Sequence, residues 1–308
     1  MIRPTGSWVA IVTPFTSDGA VDYDGFSTLV DFQVAHGTDG LLVMGSTGEA
    51  TSLTPAERRE IISRVVPMAK GRIPLFVGTT AGTTAETIAL SEHAAKADAD
   101  GLLLIVPPYI QPPQTGIYNH FKAVADAVPL PIALYNNPSR VGVNIDAATV
   151  AQLAQLPNIV ADKEAMGNVG QLGEVRRLTN PDFHLLCCDA PVYGLILPTL
   201  ALGGHGTANI SGNIIPEEMR ALSQPWHTWE DVTRTRELFF KFLPLMSALY
   251  SLSNPIAVKA ALRLLGLPGG PVRPPLVELA GDKLQNLAHY LETLGVQAKY
   301  ARPTAHVG

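Results

Sequence analysis

The 308-residue sequence predicts an α/β fold: a (β/α)8 TIM barrel followed by a helical C-terminal extension. Three observations predict it. Eight short, β-rich apolar runs recur at spacings of roughly 22 to 34 residues. The segments between them carry helix-start signals and apolar faces. From about residue 225 the strand pattern stops and only helical patterns continue.

The runs are SWVAIVTPF (7–15), GLLVMG (40–45), PLFVGT (74–79), GLLLIVP (101–107), PIALYN (131–136), NIVADKEA (158–165), HLLCCDA (184–190) and GTANISG (206–212). Continuous apolar runs suit strands covered on both faces, as in a parallel sheet. After the first run, Phe26, Leu29, Val30 and Val34 share one helix face that can lie on the sheet. After the second, TPAERREIISRVV offers Thr54 as cap, Pro55 at the first helical position and Glu57 three residues on, a capping box. TTAETIALSEHAAKA repeats that logic with Thr83 and Glu86. Eight such units in about 215 residues fit a closed barrel, which leaves no sheet edge unpaired. An open doubly wound sheet is the rival, but neither the glycine-rich phosphate fingerprint after the first strand nor a Walker loop is present. The barrel is assigned to residues 1–224 and a helical region packed on it to 225–308. Within that region RTRELFFKFLPLMSALY, NPIAVKAALRLLG and PLVELAGDKLQNLAHYLETLG read as helices, and ARPTAHVG as a loose end.

Composition narrows the function. A formal charge of −5 with no run of Lys or Arg gives no footprint for nucleic acid or an anionic membrane surface. No apolar run nears the roughly 18 residues of a membrane span, and MIRPTGSWVAIVTPF lacks the features of a signal peptide, so a cytoplasmic protein is expected. Adjacent Cys187 and Cys188 are poorly placed to pair with each other and have no metal-ligand spacing around them. They read as reduced core residues, and no metal site is expected.

In a barrel of this kind chemistry sits where strands exit at their C-terminal ends. Strand two exits into Gly45, Ser46, Thr47, Gly48 and Glu49, where backbone amides and hydroxyls can converge on a small carboxylate, although GSTG is also an ordinary turn. Strand five ends at Tyr135, and Asn136-Asn137-Pro138 forces a turn. That tyrosine is either a core aromatic with a wetted hydroxyl or a proton-transfer group. Strand six carries Lys163. Alternation sets Ala161, Lys163 and Ala165 on one face, and Val160, Asp162 and Glu164 on the other. Two readings of the lysine stand side by side. One is a structural ion pair with Glu164, Glu49 or Asp189. The other is an imine-forming nucleophile, which must be a neutral amine in a setting that disfavours charge. A carboxylate cradle, a phenol and a lysine at three strand exits would suit a 2-oxo acid.

GSTGEA, YNNPSR, DKEAMGN, LALGGHG and NPIAVKAAL together resemble, in order and spacing, the dihydrodipicolinate synthase and N-acetylneuraminate lyase family of class I aldolases. The resemblance covers nearly the whole chain. It implies a homotetramer, a dimer of dimers, in which Lys163 forms an imine with pyruvate and Tyr135 moves protons. Ser46 and Thr47 match the pair that binds the pyruvate carboxylate, with Thr47 also in the proton relay, and Gly48 and Ala208 go with them as substrate-binding positions. It implies no metal or organic cofactor. Arg140 matches an arginine that holds the carboxylate of aspartate semialdehyde, which favours the dihydrodipicolinate synthase branch. Ser46 is familiar from the lyase branch, yet Asp189 is followed by Ala190 where that branch has an acidic residue. In VPPYIQPPQTG, Tyr109 is followed by Ile110 where synthases carry a second tyrosine that enters the neighbouring subunit's site. The Asn of the lysine-feedback site is replaced by Gly82. These departures keep open a 2-keto-3-deoxy sugar acid aldolase or dehydratase, or, from another class, a noncatalytic barrel that binds a 2-oxo acid. Asp162 has no explanation in the sequence.

Overall fold

The computed structural model describes residues 1–302. Most of the segment read as a loose end therefore lies outside the described residues. Eight parallel strands, β1 (Gly6–Ala10), β2 (Gly40–Val43), β3 (Leu75–Gly78), β4 (Gly101–Ile105), β5 (Ile132–Asn136), β6 (Ile159–Glu164), β7 (His184–Cys187) and β8 (Gly206–Asn209), close into a barrel. Closure is made by β1 against β8, with Gly6 opposite Gly206 and Trp8 opposite Ala208. Each apolar run in the sequence coincides with one strand, β1 beginning one residue ahead of its run at Gly6. The runs are longer than most of the strands because the chain stays buried as it turns out at the barrel mouth, as from Ile11 to Phe15 after β1.

The main helices after the strands are Tyr23–Ala35, Pro55–Ala69, Thr84–Lys96, Gln114–Ala127, Ala147–Leu153, Val169–Leu178, Ile196–Ala201 and Pro216–Leu222. Thr54 and Glu57 form the capping box in full. At Thr83 only half of it forms: the hydroxyl accepts from the Glu86 amide, and the Glu86 carboxylate takes that same hydroxyl. The C-terminal helices are Trp229–Leu249, Ile256–Leu264, Gly281–Thr293 and Val296–Tyr300. The third of them starts six residues later than the pattern from Pro275 implies. The segment before it is held by Glu278, whose carboxylate accepts from Arg263 and, at 3.1 Å, from the Val272 amide. Tyr300 Oη and Lys299 Nζ reach the Glu218 carboxylate, at 2.6 and 2.8 Å, and tie the last helix to the barrel.

The barrel interior is packed by large side chains, with Trp8 and Phe76 edge to face at 4.8 Å between ring centroids. Each needs a glycine beside it. A Cβ at Gly40 would lie 2.5 Å from the Trp8 ring, and one at Gly101 would lie 2.4 Å from Phe76.

Strand β6 alternates as the sequence implies. Lys163 points to the barrel mouth, and Glu164 points to the helix layer, where Asn136 and Gln171 donate to its carboxylate. Burial pushes the Glu164 carboxyl up to about 7, against those hydrogen bonds. Asp162 shares that outer face, is fully buried, and has no protein partner for either oxygen among the described residues. Burial first, and then the charge of Glu164, raises its pKa well above the ordinary value. A group whose pKa is raised by folding favours the folded state below its unfolded pKa and weakens it as pH climbs. Asp162→Asn should therefore raise the melting temperature at pH 8 and leave it nearly unchanged at pH 4. Melting curves at the two pH values check this; an equal gain at both would rule out the charging penalty.

Candidate active site

A cavity of about 280 Å³ opens at the C-terminal ends of the strands. Each wall comes from a different strand exit. Ala10 follows β1 inward, Ser46 and Thr47 follow β2, Tyr135 and Lys163 come from β5 and β6, and Ala208 comes from β8. Arg140 reaches the cavity from the short helix Pro138–Val141, placed there by the turn after β5.

Lys163 is 7% exposed, and its Nζ lies 4.2 Å from the centroid of the Tyr135 ring. The ion-pair reading is overturned, because all three carboxylates considered for it are engaged elsewhere. Glu49 is taken by Lys259 Nζ at 2.6 Å. Glu164 faces the helix layer with Asn136 and Gln171. Asp189 accepts from the backbone amides of Ile210 and Ser211, from Ser211 Oγ and from Tyr250 Oη. What Lys163 meets instead is a phenol face and open cavity.

Tyr135 is not a wetted core aromatic. It is buried, and its Oη accepts from Asn137 Nδ2 at 2.8 Å. Asn137 Oδ1 accepts from Ser139 Oγ at 2.7 Å, and Ser139 in turn shares a 2.8 Å hydrogen bond with Tyr193 Oη at the cavity mouth. Thr47 Oγ1 accepts from Asn254 Nδ2 at 2.9 Å. Arg140 Nη2 donates to the Asn254 carbonyl at 3.3 Å, which steadies the guanidinium without using its charge. Burial and the neighbouring Asp189 carboxylate hold the Tyr250 phenol far above its usual pKa, so it stays a donor. Burial likewise pushes the thiol of Cys188, on the cavity wall, up to about 12; both cysteines are free and buried, as expected.

Not every expected position joins the cavity. Gly48 is not part of the lining; its carbonyl accepts from Thr13 Oγ1 at 2.7 Å, and a Cβ there would lie 3.0 Å from the Met44 backbone nitrogen. Tyr109 and Ile110 lie outside the cavity lining, 93% and 61% exposed. Tyr109 has φ +80°, a conformation that a bulky side chain rarely adopts.

Several residues were missed at the sequence level. NPIAVKAAL was read only as a helix and a shared motif, yet it supplies Asn254 to Thr47 and Lys259 to Glu49. The available signal was Lys259 inside an otherwise apolar helix, since an unpaired charge is seldom buried. Glu49 also accepts from the Arg273 amide at 3.0 Å, and Lys259 donates to the Pro271 carbonyl at 2.7 Å. The hydroxyls of Tyr193, Ser139 and Tyr250 carried no signal in sequence.

The model of the dihydrodipicolinate synthetase family matches residues 3–294. The chain belongs to that family. A 4-hydroxy-tetrahydrodipicolinate synthase of Moorella thermoacetica is 42% identical over 287 residues, covering 93% of this chain and 97% of the relative. Among solved structures, the dihydrodipicolinate synthase of Aquifex aeolicus superposes with a TM-score of 0.90 at 37% identity, covering 96% of this chain and 99% of the other. The enzyme of Cyanidioschyzon merolae with lysine bound gives 0.90 at 38% identity, covering 95% and 98%. Members of the dihydrodipicolinate synthetase family are enzymes, and the cavity described above has the polar groups of one.

The buried Glu49–Lys259 pair yields a stability test. Lys259→Met should destabilise the protein by about 3–5 kcal/mol, because it strands a buried carboxylate. Pairing it with Glu49→Gln should recover more than half of the loss in urea unfolding. A double variant no better than the single one would show that the pair's charge is not what matters.

Proposed function

We propose that the chain is a lysine Schiff-base enzyme that condenses pyruvate with aspartate semialdehyde, as a 4-hydroxy-tetrahydrodipicolinate synthase. The observation that carries the reading is the Lys163 amine, free of carboxylate partners among the described residues, in a cavity shared with Tyr135, Thr47 and Arg140. Ser46 and Thr47 bind the pyruvate carboxylate. Lys163 Nζ adds to the C2 ketone, Tyr135 delivers a proton to the departing hydroxyl, and water and a protonated imine result. The cationic nitrogen draws electrons from C3, which gives up a methyl proton and becomes an enamine. The enamine carbon bonds to the aldehyde carbon, whose oxygen takes a proton. The amine of the second substrate then displaces Lys163 at C2 and closes the ring. The protonated imine is the electron sink throughout, so the scheme calls on no metal or organic cofactor.

Arg140 suits a second substrate with a terminal carboxylate, held by two parallel charge-assisted hydrogen bonds. A sugar acid instead needs polar groups along a hydroxylated chain and has no call on a guanidinium at the mouth, where Arg140 stands. A noncatalytic sensor has no use for a nucleophilic amine set beside a phenol, since binding alone moves no proton.

The reading extends to assembly. Exposed Tyr109 and Ile110, with the unusual backbone at Tyr109, fit a loop that approaches a neighbouring subunit in a homotetramer. Residues 1–224 are the barrel unit and 225–308 the helical region that completes its mouth. No helix among the described residues is long and apolar enough to cross a membrane. A cytoplasmic site of action fits that and the substrates.

Incubation with pyruvate and borohydride should add irreversible mass at Lys163 and abolish activity, while Lys163→Ala acquires none. Labelling elsewhere, or none in the parent protein, would sink the mechanism. Arg140→Ala should raise KM for the semialdehyde by about 10–100-fold and leave pyruvate trapping intact. Unchanged semialdehyde KM would remove Arg140 from the substrate.

A further inference from the structure

Two reaction-bearing hydroxyls in the cavity each accept a hydrogen bond from a side-chain amide: Tyr135 Oη from Asn137 and Thr47 Oγ1 from Asn254. A phenol oxygen takes one good in-plane acceptor bond and gives one donor bond. With its acceptor position filled from the side of the turn, Tyr135 has its O–H left to offer, and the cavity is the open direction. The carboxamide is held in turn. Asn137 Oδ1 accepts from Ser139 Oγ, and Ser139 shares a hydrogen bond with Tyr193 Oη in which either hydroxyl can donate, so both ends of the amide are engaged.

We propose that Asn137 is a positioning residue that sets the polarity of the Tyr135 hydroxyl, presenting it as a proton donor to the pyruvate adduct on Lys163. The proposal rests on the imine reading above and adds a residue to which that reading gives no role. Asn137 lies between Tyr135 and the Pro138–Val141 helix that carries Arg140, so one turn both orients the proton donor and places the guanidinium. Asn254 does the same for Thr47 from the C-terminal region, while its backbone carbonyl holds Arg140. Ser139 and Tyr193 extend the control to the mouth, where the second substrate enters.

The test turns on two substitutions that a purely structural role ranks one way and polarity control ranks the other. Asn137→Asp keeps the shape of the side chain but can only accept, so it draws the Tyr135 O–H away from the cavity. Asn137→Ala removes the contact and leaves the hydroxyl free to rotate. Polarity control predicts the aspartate variant to be the slower of the two, with pyruvate-dependent borohydride trapping down by at least about 10-fold. The alanine variant should lose about fivefold, the worth of one hydrogen bond. KM for pyruvate should stay near the parent value in both. A structural role predicts the reverse order, and an alanine variant slower than the aspartate one overturns the proposal.

The new carboxylate could also act by pairing with Lys163, and Tyr135→Phe separates the two effects. In that background the aspartate and alanine variants should trap at equal rates if Asn137 works through the hydroxyl; a persistent deficit in the aspartate variant overturns the proposal. Thermal melting establishes that each variant is folded. If Asn137→Asp does not fold, Asn137→Ser, which restores a donor, must trap faster than Asn137→Ala, and failure to do so counts against the idea. Failure of the parent protein to trap pyruvate would instead remove the imine reading itself, so the two failures are distinguishable.

Discussion

The two-residue pleat of β6 is the constraint on which the site depends. Closing eight strands into a barrel gives each strand one face toward the interior and one toward the helices. On β6 this sends Lys163 to the mouth and leaves Asp162 and Glu164 outside with the helix layer, although all three are neighbours in sequence. A slip of one residue would exchange the amine for a carboxylate. The same pleat explains how a strand can carry three consecutive charged residue types in a buried setting without their neutralising one another. Glu164 is met by carboxamides rather than by a cation, and Asp162 is left with no partner among the described residues.

Around that strand the C-terminal helical region acts as part of the site. Asn254 reaches Thr47, Tyr250 reaches Asp189, and Lys259 reaches Glu49 at the base of the Ser46–Thr47 turn. Each contact ends on a loop at the barrel mouth. The loops that line the cavity are therefore braced from outside the barrel, and a wall made of backbone amides and hydroxyls keeps its geometry through that bracing.

Much of this was legible in the chain. The eight strands, the full capping box at Thr54 and the start of helical structure near residue 225 follow from period and caps, which are local properties. Lys163, Tyr135, Ser46, Thr47 and Arg140 were legible as polar residues at strand exits, and the structure brings all five to one cavity. What was hidden is what depends on distant pairing. Glu49 was a plausible partner for Lys163 only until Lys259 was seen to occupy it. Asn137 read as a turn-former beside proline, since nothing local distinguishes an amide that caps a turn from one that binds a phenol. The helix expected from Pro275 starts at Gly281, after a segment that Glu278 ties to Val272 and Arg263.

The Glu49–Lys259 contact joins residues 210 positions apart, and the Thr47–Asn254 contact spans 207. On a ribosome the Ser46–Thr47 turn is made long before either partner exists. Domains form from the N-terminus as synthesis proceeds, at about 5–20 residues per second, so about 10–40 seconds separate the two ends of each contact. During that interval the barrel's strands can pair while Glu49 still lacks its counter-ion. A nascent chain stopped short of Asn254 would thus hold Lys163 and Tyr135 without a braced cradle. Completion of the cavity wall is in this way deferred until the chain is nearly finished.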